Sequence, residues 1–121
     1  MGGLKPTVKL RDYQLEGIQW LGFLVKYNLN AALCDDMGLG KTIQTLVVIA
    51  NEVVKRKIKS FNLVVAPGTV VDHWEAESRK YIDGNVLKPL IINGNTTQAQ
   101  LESSNLWLIT YTSLLKHPNL L

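Results

Sequence analysis

The sequence predicts an α/β fold, a parallel sheet flanked by helices, and two observations carry that expectation. Short apolar runs rich in β-branched residues alternate along the chain with segments whose apolar residues recur at three- and four-residue steps. The runs are continuously apolar rather than alternating with polar residues, as in strands covered by helices on both faces.

The elements follow in order. Asp12 to Asn28 reads as a helix, with Asp12 as its N-cap and Leu15, Ile18, Leu21, Leu24 and Val25 as its apolar stripe. Ala31 to Cys34 is a short buried-strand candidate that runs into the glycine loop Gly38-Leu39-Gly40. Lys41 to Lys57 is helical by pattern, its apolar face formed by Ile43, Leu46, Val47, Ala50, Val53 and Val54. Lys55, Arg56, Lys57 and Lys59 close it, where cations suit a helix C-terminus. Phe61 to Ala66 is a second strand, stopped by Pro67-Gly68; Val70 to Tyr81 is a helix and Leu87 to Ile92 a third strand. Thr97 to Ser103 is a short helix, and Leu106 to Thr110 a fourth strand that leads into a helical turn ended by Pro118. Trp20 and Trp107 sit in apolar runs and are expected in the core. Residues 1–9 are expected to be a disordered start or a remnant of cloning.

The chain has 121 residues, 46% of them hydrophobic and 19% charged, with a net charge of +3. That balance fits one soluble domain or part of one, and it permits a polyanionic partner without arguing for it. Cys34 is the single cysteine, so no internal disulfide can form, and it reads as a small buried hydrophobe. No apolar run is long enough to span a bilayer. His73 and His117 share no metal-ligand spacing with each other or with Cys34.

The stretch Leu33-Cys34-Asp35-Asp36-Met37-Gly38-Leu39-Gly40-Lys41-Thr42 carries the chemistry. A phosphate loop needs glycines that let backbone N–H groups wrap an anion and a helix that begins at the loop. It also needs a lysine that reaches the β/γ-phosphates and a hydroxyl for Mg²⁺. Gly38, Gly40, Lys41 and Thr42 meet these requirements between a predicted strand and a predicted helix. The usual first glycine is replaced by Asp35, a position that needs no particular side chain if its φ is negative. Asp35 and Asp36 either brace the loop, or Asp36 stands near the metal's water shell. The bland alternative for the whole stretch is a glycine-rich turn followed by a solvated lysine.

The order LRDYQLEGIQWL, LCDDMGLGKT, LVVAPGTVVDHW and LWLITYTSL resembles the opening of the SWI/SNF-type chromatin-remodelling ATPases of helicase superfamily two. The likeness runs from Leu10 to Leu115 and implies the N-terminal part of the first lobe, a RecA-like fold with a P-loop, over residues 10–121. LCDD with VLKPLIINGN is similar to the subgroup that removes TATA-binding protein from promoter DNA. The resemblance implies ATP and Mg²⁺ as cofactors, with nucleotide binding by Gln14 and by Asp35 through Thr42. In that scheme Gln14 reads the adenine edge, Lys41 is the catalytic phosphate-neutralising lysine and Thr42 the Mg²⁺ ligand. Pro67, Gly68, Thr69, Trp74 and Thr110 fall where the family contacts the DNA backbone. Double-stranded DNA, a DNA-bound protein and a second RecA-like lobe are the implied partners, without a membrane, and nuclear location follows from the same resemblance.

Turnover of ATP needs one acid to hold Mg²⁺ and another to orient water, carried in such enzymes as Asp-Glu after an apolar strand. The acids after Thr42 are Glu52, Asp72, Glu75, Glu77, Asp83 and Glu102, and no two are adjacent. The chain alone is therefore expected to bind ATP without hydrolysing it. A non-catalytic nucleotide-sensing or protein-binding module is the alternative. A small-molecule kinase fits poorly, for no lid or acceptor site is legible.

Overall fold

The structure is a computed structural model that describes residues 2–30, 41–56 and 61–116. Its elements are α1 (Asp12–Lys26), α2 (Lys41–Lys55), β1 (Asn62–Val65), α3 (Gly68–Tyr81), β2 (Pro89–Ile91), α4 (Gln98–Ser103), β3 (Leu106–Ile109) and α5 (Tyr111–Leu115). The strands form one sheet in the order β1-β3-β2, and both pairings are parallel. The predicted α/β architecture is thus the observed one. The strand expected at Ala31 to Cys34 lies outside the described residues.

β3 is central among the described strands, and Leu106, Leu108 and Ile109 are fully buried in it. A strand covered on both faces has no solvated face to mark with polar residues, which is why LWLI reads as an unbroken apolar run. The core joins Leu106 and Leu108 to Leu46, Val47 and Ala50 of α2, Val71 of α3, and Ile82 and Leu87. Gln44 lies wholly inside as well, and its Oε1 occupies the place that a Cβ on Gly17 of α1 would take. Gly17 is therefore what lets α1 and α2 approach so closely.

Helix ends explain where the expected boundaries shift. The N-cap of α1 is Arg11, not Asp12, because Gln14 Oε1 reaches back to accept the Arg11 backbone N–H at 2.9 Å. Asp12 instead takes the first helical position, where its charge faces the positive end of the helix. α1 stops two residues earlier than its pattern suggests. Asn28 adopts φ 57°, the Asn28 N–H donates to Val25 O at 3.1 Å, and the Leu29 N–H donates to Leu24 O at 2.8 Å. That pair of bonds with a left-handed residue between them closes the last carbonyls of the helix. α3 starts two residues early, since Pro67 at φ −60° and ψ 156° is already set as its N-cap.

Two expectations about burial are corrected. Trp20 is not a core residue: it is 45% exposed, on the outer side of α1 with Phe23 and Tyr27, whose rings stack at 4.9 Å. Ile18 alone of the α1 stripe is buried, and Val25 is exposed, because α1 meets the rest of the chain chiefly through α2. Trp107 is half-buried, its Nε1–H donating to Ser104 Oγ at 2.9 Å. Nor are residues 2–9 a loose start. Leu4 bridges Ile82 antiparallel, the Lys5 N–H donates to Tyr81 O at 2.9 Å, and Leu4 and Val8 pack on the core.

The two glycines of α1 give opposite expectations. Gly22 has nothing within 4 Å of an added Cβ, so Gly22→Ala should stabilise by about 0.5–1 kcal/mol through helix propensity. Gly17→Ala should instead destabilise by about 1–3 kcal/mol, since the added methyl would displace the Oε1 of a fully buried glutamine. Urea unfolding of the two variants tests the difference in sign.

Candidate functional site

Parallel strands bring all their C-terminal ends to one edge of the sheet, where ligands of open α/β folds bind. At that edge β1 runs through Ala66 and Pro67 into α3, and β3 runs through Thr110 into α5. The Ala66 N–H donates to Ile109 O at 3.0 Å, and a Cβ on Gly68 would lie 4.0 Å from Thr110 Cγ2. Pro67, Gly68, Thr69 and Thr110, read separately from the sequence, are thus brought side by side.

The local chemistry of this patch suits an anion. α3 begins with Gly68 and Thr69 exposed and carries no acid in its first turn. Thr110 caps α5, its Oγ1 accepting the Ser113 N–H at 3.2 Å. A hydroxyl used as an acceptor keeps its own O–H to donate. Trp74 is placed differently. It is half-buried and packed on the hydrophobic core, so its ring braces α3 against the sheet.

The second group of site residues gathers at the start of α2. Asp35, Asp36, Met37, Gly38, Leu39 and Gly40 lie outside the described residues, as does Cys34. Lys41 and Thr42 open α2, both half-buried, and no acid stands in its first turn. Thr45 Oγ1 donates back to Lys41 O at 3.0 Å. The unpaired N–H groups and dipole of a helix start favour negative charge there. Gln14 lies one turn before Gly17, and Lys41 one turn before Gln44. The Gly17–Gln44 contact therefore ties together the helical turns that carry these two residues. Gln14 Oε1 already accepts one N–H from Arg11, which leaves its second lone pair and its amide hydrogens for a ligand.

The charged helix ends are otherwise ordinary. Lys55 and Arg56 each stand 3.9 Å from Glu52, and His73 Nε2 lies 3.3 Å from Glu77. Lys57, Lys59 and His117 lie outside the described residues. No group of three metal-ligating side chains occurs among the described residues, and no described helix is long and apolar enough to cross a membrane.

The SNF2-related domain family matches residues 13–121 of the sequence. The chain belongs to that family. It is 38% identical over 120 residues to TATA-binding protein-associated factor BTAF1 of Arabidopsis thaliana, covering 90% of this chain and 6% of the relative. It is 36% identical over 118 residues to TATA-binding protein-associated factor MOT1 of Saccharomyces cerevisiae, covering 84% of this chain and 6% of that protein. It is 34% identical over 109 residues to Helicase SWR1 of Cryptococcus neoformans, covering 86% of this chain and 9% of the relative. The solved Sulfolobus solfataricus SWI2/SNF2 ATPase core in complex with dsDNA matches with a TM-score of 0.84 and 33% identity, over 98% of this chain and 24% of that one. This SNF2-related domain therefore spans a small part of its curated relatives and about a quarter of the solved core, and its fold is that of the corresponding part of the ATPase lobe.

Sequence reasoning missed Gln44 and Gly17. A glutamine inside an apolar helix face and a glycine inside a helical pattern were the available signals, but only packing pairs them. It also missed Asn105, whose side chain accepts the Lys88 N–H at 2.7 Å and donates to Val86 O at 2.7 Å. Thr110→Ala should speed exchange of the Ser113 amide about fivefold by removing the cap of α5, and Thr110→Ser should restore it; amide hydrogen exchange by NMR measures both.

Proposed function

We propose that this SNF2-related domain is the ATP-binding front of a DNA-dependent ATPase that moves along duplex DNA and displaces proteins bound to it, in the nucleus. The observation that carries the reading is the first turn of α2. Lys41 and Thr42 stand at the positive end of a helix with no acid in that turn, coupled through the Gly17–Gln44 contact to the turn that bears Gln14. In this reading Lys41 neutralises the β/γ-phosphates, Thr42 ligates Mg²⁺, and Gln14 donates and accepts at the adenine edge. In the same reading Asp35 through Gly40 would supply the rest of the phosphate loop. Thr42 is the residue that would hold Mg²⁺ with the nucleotide, and the ion would supply charge neutralisation there.

Pro67, Gly68, Thr69 and Thr110 form the DNA-backbone contact, with exposed N–H groups and hydroxyls as donors and Trp74 holding α3 in place. Such contacts position a strand without reading its bases, as a motor that must run on any sequence requires. The TATA-binding protein-associated factors among the relatives favour TATA-binding protein as the displaced protein. A second RecA-like lobe supplies the other wall of the nucleotide site. Because no two acids after Thr42 are adjacent, the 121-residue chain binds ATP without turning it over. The same sequence feature favours the second reading, a nucleotide-sensing module.

Titration with a fluorescent ATP analogue and Mg²⁺ should give saturable binding that Lys41→Ala weakens about tenfold or more. Addition of duplex DNA should leave phosphate release at the background rate. Binding unaffected by Lys41→Ala would sink the nucleotide site, and turnover at about 1 s⁻¹ or faster would overturn the argument from the missing acids.

A further inference from the structure

We infer that a cavity at the opposite edge of the sheet is a receptor for a phosphate monoester carried on a protein side chain. The cavity has a volume of about 340 Å³ and lies where α3 ends and β2 begins. α3 separates it from Gly68 by 11 residues, about 16 Å of helix, so it is distinct from the nucleotide and DNA-contact patches.

Three cations from three segments line this cavity: Lys5, Arg79 and Lys88. No carboxylate lines it. Ile82 and Leu87, each 1% exposed, also line it and give it an apolar wall. The three backbones are held in place. The Lys5 N–H donates to Tyr81 O at 2.9 Å, and Lys5 Nζ donates to Arg79 O at 2.6 Å, which leaves two ammonium hydrogens for a ligand. The Lys88 N–H donates to Asn105 Oδ1 at 2.7 Å, and Lys88 O accepts from the Asn105 N–H at 3.2 Å. Arg79 stands in the last turn of α3, and its only carboxylate among the described residues is Glu75, at 3.8 Å and one turn back. A long pair of that kind on an exposed arginine yields readily to a better acceptor. Asp83, close by in sequence, has Oδ1 committed to the Asn85 N–H at 2.9 Å.

The charge and shape select the ligand class. A phosphate monoester carries close to two negative charges and three terminal oxygens at one point, a match for three cationic residues brought to one cavity from three segments. A nucleic-acid diester has one charge and two free oxygens, so it offers the three cations less charge and fewer acceptors at one point. The volume exceeds that of a bare oxyanion and falls at the small end of ligand pockets, ~300–1,000 Å³. It therefore has space for a phosphorylated side chain.

The test uses the ¹⁵N-labelled 121-residue chain, titrated with a blocked pentapeptide in which phosphoserine is flanked by two alanines on each side. Gly84 lines the cavity with nothing within 4 Å of an added Cβ and no left-handed φ, so Gly84→Glu sets a competing carboxylate there without strain. The phosphopeptide should shift the Gly84 and Lys88 amides saturably, the unphosphorylated peptide should not, Lys88→Gln or Arg79→Gln should weaken binding about tenfold, and Gly84→Glu should abolish it, all with the remaining spectrum unchanged. Absence of a saturable shift, or equal shifts from the unphosphorylated peptide, overturns the proposal. Inorganic phosphate binding as tightly as the peptide would identify a free-anion site instead. A duplex oligonucleotide that binds there with the same dependence on Lys88 would identify a diester surface, and either result also overturns it.

Discussion

Helix α2 is buried along most of its length, and the rest of the structure is arranged around that burial. Leu46, Val47 and Ala50 are fully buried, and α1 and α3 both pack against it. Such a helix cannot shift its axis without opening the core. The N-terminal turn with Lys41 and Thr42, the turn proposed to meet a phosphate, is therefore held in place by the core. Burial supplies the stiffness, and the orphan N–H groups of the helix start supply the affinity for an anion.

The tightness of that packing turns on small residues. Gly17 removes the one Cβ that would collide with Gln44, and the resulting approach couples two turns of different helices. Gln44 is the fully buried polar side chain of α2, and it is the one that fills the space Gly17 leaves on α1. The consequence reaches the site, because Gln14 and Lys41 each lie one turn from this contact.

The parallel sheet separates the molecule's chemistry into two edges. At the C-terminal ends of β1 and β3, Gly68 and Thr69 are exposed and Thr110 is half-buried beside them, with no acid in the first turn of α3 or α5. At the N-terminal ends, Asn62 and Asn105 tie the strand entries together: the Asn62 side-chain amide donates to Asn105 O at 3.1 Å, and Asn105 holds Lys88 and Val86. One edge is left open by capped helix starts, and the other is stitched shut by side-chain amides around a basic cavity.

Much of this was legible in the residues. Continuous apolar runs and three-to-four periodicity located β1, β2, β3 and the main helices, because burial on both faces leaves that imprint on sequence whatever the neighbours are. The glycine loop followed by Lys41-Thr42 is the sequence feature on which the proposed phosphate site rests, since only particular residue types can wrap a backbone round a phosphate. Other features depended on which element lies across from which. Trp20 reads as core by its apolar neighbours but faces outward, because α1 is covered chiefly along its contact with α2. Asp12 reads as a cap but yields that place to Arg11 once Gln14 folds back. The order β1-β3-β2, the Gly17–Gln44 contact and the meeting of Lys5, Arg79 and Lys88 join residues far apart in the chain. The sequence by itself determined the elements, which are local in origin, and carries the residue types that a phosphate loop needs; the tertiary structure alone decided the pairings, because a contact between distant residues is a property of packing and leaves no periodic mark in either partner.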